Sequence, residues 1–177
     1  MNDWNFRSRI NISRSLLLEL TGKNGSSRLI TPGFDNKNYN IKSLGIEPKI
    51  SFVHGTTFRV SLGYRFDEKK NTDSVQKATI HSITSEAKYN VLSSTSITGR
   101  FTFSSIKYSD LSNGDVANTA VSYMMLDALL PGKNYLWTLD LTRRLTSYLE
   151  LNFQYEGRKT GTSNIVHIGR AALRALF

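Results

Sequence analysis

Hydrophobic and polar residues alternate along most of this chain. Leu149, Leu151, Phe153 and Tyr155 interleave with Glu150, Asn152, Gln154 and Glu156. A strict period of two gives an extended strand one apolar and one polar face. Before it, Tyr135, Trp137, Leu139 and Leu141 alternate with Thr138, Asp140 and Thr142. After it, 164–177 places Ile165, His167, Gly169, Ala171, Leu173, Ala175 and Phe177 on one face, with Arg170 and Arg174 on the other. The same period predicts strands over 4–12, 16–23, about 39–53, 57–66, about 78–91 and 95–108. Pro48 falls inside the third of these. It lacks a ladder donor, so a bulge or local unpairing is expected there. The run 119–130 fits a strand, a short helix or a packed loop equally well.

The connections sort by length. Those at 13–15, 54–56, 92–94 and about 143–147 are tight. Those at 24–38, 67–76, 109–134 and 157–163 are longer. Short turns on one side and long loops on the other are the habit of bacterial outer-membrane barrels. Aromatic residues sort in the same way. Trp4, Tyr39, Tyr64, Phe66, Tyr108, Tyr135, Trp137 and Tyr155 fall near the long-loop ends. Phe52, Phe58, Tyr89, Tyr148 and Phe177 fall near the short-turn ends. Two aromatic bands separated by about ten residues of strand suit two membrane interfaces. Between them the apolar positions are Leu, Ile, Val, Ala or Gly.

The charges take the opposite face: Arg7, Arg9, Glu19, Glu47, Lys49, Arg59, Arg65, Glu86, Lys88, Arg100, Asp140, Glu150, Arg170 and Arg174. In a dry core each unpaired charge costs several kcal/mol, whereas in a wet lumen they are tolerated. The expected fold is therefore all-β: an antiparallel up-and-down transmembrane β-barrel, or the C-terminal part of one. It has about nine or ten strands, short periplasmic turns and long outer loops. With 109–134 counted as outer loop the number is nine. Complete bacterial barrels have even numbers, so 1–177 is expected to be one β-barrel segment of a larger barrel. The expected interface aromatics are Trp4, Phe52, Phe58, Tyr64, Phe66, Tyr89, Tyr135, Trp137, Tyr155 and Phe177.

Composition adjusts this picture only slightly. The mean hydropathy is −0.32 and the longest apolar runs fall well short of a membrane helix, which does not bear on barrels. The first residues lack a signal-peptide pattern, so either a leader has been removed or more chain precedes them. Cysteine is absent, so no disulfide or thiolate metal site exists. The formal net charge of +9 raises anionic lipid, lipopolysaccharide or nucleic acid as partners. Aromatic and basic residues occupy opposite faces, which argues against nucleic acid.

The segments Met125-Leu126-Asp127, Leu130 to Trp137, Gln154 to Lys159 and His167 to Phe177 resemble the C-terminal barrel region of large outer-membrane proteins from Bacteroidota, most strongly over 119–177. The resemblance implies an outer-membrane location and a terminal strand whose Phe177 is the signal read by the barrel-assembly machinery. It implies no particular activity.

Candidate chemistry is sparse. His54, His81 and His167 are scattered, and none has Ser and carboxylate partners at triad spacing. The glycine-containing stretches 22–25 and 157–161 are followed by no helix that could cradle phosphate. No enzyme activity, cofactor or metal is expected. The leading expectation is a pore, transporter or surface-complex scaffold in contact with outer-membrane lipid, lipopolysaccharide and other subunits. The alternatives are a soluble β-barrel holding an apolar ligand, or an adhesin acting through 24–38 and 109–134.

Overall fold

The computed structural model describes residues 3–33, 38–91, 94–109 and 120–176. Nine strands follow the chain in order: β1 (Asp3–Asn11), β2 (Leu16–Leu29), β3 (Tyr39–His54), β4 (Phe58–Asn71), β5 (Lys77–Val91), β6 (Thr95–Ser109), β7 (Gly132–Thr146), β8 (Leu149–Thr160) and β9 (Val166–Ala175). They form one antiparallel up-and-down sheet in sequential order. The sheet is not closed, so β1 and β9 each keep an unpaired edge. One short helix, α1 (Ala120–Met125), lies between β6 and β7.

The register carries the two faces across the whole sheet. Leu18 sits opposite Ile50, Ile50 opposite Leu62, and Leu62 opposite Ser85. On the other face Glu19 sits opposite Lys49, and Lys49 opposite Gly63. Pro48 behaves as its missing N–H requires. Pairing between β3 and β4 lapses between Ile46↔Phe66 and Lys49↔Gly63, then resumes in the same register. A register shift also occurs between Arg144 and Thr146, beside the last tight turn.

Strands β2, β4 and β8 run further than the sequence pattern predicts. β2 continues to Leu29, β4 to Asn71 and β8 to Thr160, so the long connections shrink to 30–38, 72–76 and 161–165. Apart from Leu29, the added segments carry no large apolar side chain on either face. Backbone pairing persists there although alternation has stopped.

The connection 109–134 departs from expectation. It is not wholly outer loop, because α1 and the turn after it fold onto the charged face. Val121, Met125 and Leu126 pack with Tyr39, Ile41, Ala78, Ile80 and Ile106 in a buried cluster, flanked by Tyr108 and Leu129. Tyr39 and Tyr108 therefore lie on the charged face and do not belong to the aromatic band. Leu126, Met125 and Ile80 are fully buried. Covering those apolar groups supplies the main force that docks a helix too short to persist alone.

Candidate functional site

The structure places every described charge from the sequence reading on one face. Arg7 and Arg9 of β1 meet Glu19 of β2, with Arg9 Nη2 to Glu19 Oε2 at 2.9 Å. Glu86 of β5 accepts from Arg100 of β6 at 2.6 Å. Arg170 of β9 lies 3.3 Å from Glu156 of β8, and Glu150 lies 3.9 Å from Arg144. Glu47, Lys49, Arg59, Lys88, Asp140 and Arg174 share this face, by their register with Thr21, Glu19, Val53, Thr98, Gln154 and Glu150 respectively.

The densest cluster lies under the docked segment. Asp67 is fully buried and receives Lys23 at 3.1 Å and Arg65 at 3.1 Å. Arg65 also reaches Asp127 at 2.7 Å, and Lys69 forms a second ion pair with Asp127. Lys69 donates as well to the carbonyl of Met124 at 3.1 Å. Lys23 and Asp67 belong to β2 and β4, with β3 between them. Gly45 makes the bridge possible: a β-carbon there would collide with both side chains.

Asn134, fully buried on β7, fixes the other end of the segment. It donates to the carbonyl of Leu130 at 2.8 Å and accepts from the amide of Gly161 at 3.2 Å. The turn between these anchors holds Asp127 at φ 54° and Ala128 at φ 61°. Left-handed backbone is costly for residues with a β-carbon, so the anchors must hold it in place.

Burial alone would raise the Asp127 carboxyl. The hydrogen bond and charge of Lys69, followed by the charge of Arg65, outweigh that and hold it below the usual aspartate range. Beside this cluster a pocket of about 440 Å³ is lined by Lys49, Arg65, Glu86, Arg100 and Asp127, with Ser82 and Ser104 on its floor. The two serines bond to each other at 2.8 Å.

Sequence reasoning found Arg65 but not Asp67, Lys69, Asp127 or Asn134. Asp67 and Lys69 continue the period of two set by Arg65, into a stretch that reads as loop. Ala78, Ile80 and Ile106 on a charged face were the available signal that something covers them.

The opposite face carries Trp4, Phe52, Phe58, Tyr64, Phe66, Tyr89, Tyr135, Trp137 and Tyr155. Phe58 meets Tyr89 edge-on at 6.4 Å near the tight turns. At the other end Tyr64 bonds His81 Nδ1 at 2.7 Å, and Tyr155 bonds His167 Nδ1 at 2.8 Å. The Trp137 indole lies over Gly157, where a β-carbon would collide with it. Phe177 lies outside the described residues, both as an aromatic and as an assembly signal. Among the described residues no cluster of His, Asp or Glu suits a metal ion.

This geometry defines a region of an outer-membrane-type β-barrel. Neither a family profile nor a curated protein matches the chain. Solved structures with the same fold do. OmpT, an outer membrane protein of Vibrio cholerae, superposes in its trimer form with a TM-score of 0.67 at 10% identity, covering 97% of this chain and 55% of that one. Its variant lacking loop L8 gives 0.66 at 12% identity, covering 97% and 53%. The outer membrane channel DcaP of Acinetobacter baumannii gives 0.50 at 10% identity, covering 97% and 61%. The chain thus spans about half the length of OmpT.

Proposed function

We propose that this chain forms part of the wall of an outer-membrane pore. The apolar face meets lipid, the charged face lines a wet lumen, and 120–131 narrows that lumen. One observation carries the reading. The same strands expose an uncharged belt on one face while holding ladders of charge and a folded-in segment on the other. Leu44, Ile46, Ile50, Phe52, Leu62 and Tyr64 are all exposed on adjacent strands. A contiguous apolar patch of that kind calls for a covering medium.

The lumen side has an excess of cations. Lys49, Arg59, Lys88, Arg158 and Arg174 have no ion-pair partner among the described residues, against Asp3, Glu47 and Asp140 on the acidic side. Arg59 and Lys88 even sit directly opposite each other. Such a lining favours small anions over cations. No catalytic step belongs to this reading.

The open edges of β1 and β9 cannot face hydrocarbon, because unsatisfied backbone groups there cost several kcal/mol each. Further strands, from more of this chain or from another, are therefore needed to close the barrel. The greater length of OmpT supports that. Kinship with Bacteroidota barrels and recognition of Phe177 by the assembly machinery complete the proposal.

Reconstitution in planar lipid bilayers tests it. Stepwise conductance with an anion-selective reversal potential is expected. Heat-modifiable, inserted protein that conducts nothing would remove the pore. Recovery as a monodisperse monomer without detergent would remove the membrane assignment.

A further inference from the structure

The exposed face carries a second pattern beyond its apolar belt. Each strand from β3 to β8 places one lysine on this face at its long-loop end: Lys42, Lys70, Lys77, Lys107, Lys133 and Lys159. Lys42 sits directly opposite Lys70, and Lys70 directly opposite Lys77. Like charges facing each other across strands are unfavourable. The only relief among the described residues is Glu68, 2.8 Å from Lys70 and 3.1 Å from Lys77. Glu68 is also the one acid that the described strands present on this face.

The next three lysines step down the sheet with the register, and each faces a hydroxyl. Lys107 lies opposite Thr79, Lys133 opposite Ser105, and Lys159 opposite Tyr135. The row follows the aromatic band. Lys70 and Phe66, Lys77 and His81, Lys107 and Phe103, and Lys159 and Tyr155 are all four residues apart on their strands. That is about 13 Å along a strand. In both Tyr–His pairs the tyrosine hydroxyl can donate to Nδ1, which leaves Nε2 as a donor just below the lysines.

Solubility alone does not account for the row, since acids would serve equally well and are almost absent. On the charged face, by contrast, the strand ends pair Asp67 and Asp127 with Lys23, Arg65 and Lys69. Among the described residues Lys42, Lys107, Lys133 and Lys159 have no acid within ion-pair distance, and a counter-charge from outside the chain suits the row. We infer that this row, with Thr79 and Ser105, binds the phosphate groups of a phosphorylated glycolipid packed around the outer end of the barrel. The inference rests on the apolar face being lipid-facing. It does not depend on the lumen conducting.

The test is titration of the detergent-solubilised protein with bisphosphorylated lipid A, read by native mass spectrometry. Replacing Lys42, Lys70 and Lys77 together by Gln is expected to weaken binding about a hundredfold. The pair Lys49→Gln and Lys88→Gln, on the charged face, is expected to leave binding intact. Wild-type affinity in the triple variant would overturn the inference. So would equal binding of phosphatidylglycerol, which would mean generic anionic lipid, or of inorganic phosphate, which would mean a free-ion site. Heat-modifiable gel mobility of each variant checks that it has folded. Protein that inserts and binds lipid A but passes no current removes the pore and leaves this inference standing. Protein that conducts but ignores lipid A does the reverse.

Discussion

The strands differ between their middles and their long-loop ends. In the middle, Leu62 and Tyr64 of β4 alternate with Ser61, Gly63 and Arg65, and the period of two is plain. Beyond Phe66 the same strand reads Asp67-Glu68-Lys69-Lys70-Asn71, with no alternation, yet the ladder to β5 continues to Lys70↔Lys77. Alternation marks places where the two faces meet different media. Where both faces carry polar side chains, pairing rests on backbone hydrogen bonds and side-chain ion pairs, and the sequence loses its period.

The largest expected effect tests the middle region. Leu62→Arg puts a charge on the exposed face far from either end. If that face meets hydrocarbon, the loss should be about 2–4 kcal/mol. Thr98→Arg, on the other face between Lys88 and Asp140, should cost no more than about 0.5 kcal/mol. Denaturant unfolding in lipid vesicles measures both. Equal effects would erase the distinction between the faces.

The second prediction moves to the ends. Asp67→Asn leaves Lys23 and Arg65 converging on a neutral group in a buried place. Breaking a fully buried pair costs about 3–5 kcal/mol, and the partial exposure of both cations reduces that to about 2 kcal/mol. A shift in the denaturation midpoint checks it. No change would mean that water already screens the cluster.

This contrast also explains what the sequence revealed. The strand number, their order, the faces and the interruption at Pro48 all follow from residues inside the belt, where the media differ most. The reach of β2 to Leu29 and β4 to Asn71 was hidden because polar residues occupy both faces there. The inward fold of α1 was hidden for another reason. It depends on long-range burial of Ile41, Ile80 and Ile106, residues that a strict lumen-or-lipid division would expect to be polar. Asp127 gave no local sign, since its partners lie on β4, far away in sequence.

The third prediction concerns docking of 120–131. Asp127→Ala removes both ion pairs to β4 and leaves Lys69 with only the Met124 carbonyl. Protease cleavage within 120–131 should accelerate several-fold, and single-channel conductance should rise if the segment narrows the lumen. The pH response follows from the same contacts. The carboxyl is more acidic folded than unfolded. Its contribution is therefore complete above the ordinary aspartate value near 4, and is lost as pH falls through the lower folded value. Docking should hold at neutral and mildly acid pH and fail only in stronger acid. Asp127→Asn should remove that transition; persistence of the transition would assign it to another group.

The smallest effect tests the strain in the turn. Ala128 holds φ 61°, a conformation that costs a residue with a β-carbon about 1–2 kcal/mol. Glycine relieves this but adds unfolded-state freedom worth about 0.4–1 kcal/mol. Ala128→Gly should therefore tighten docking by about 0.5 kcal/mol, with cleavage within 120–131 slowed about twofold. The effect should survive in the Asp67→Asn background, because Asp67 holds β4 to β2 and does not touch the turn. Faster cleavage in Ala128→Gly would mean that the left-handed turn is not imposed by the anchors on either side. The segment would then be held by its apolar contacts alone.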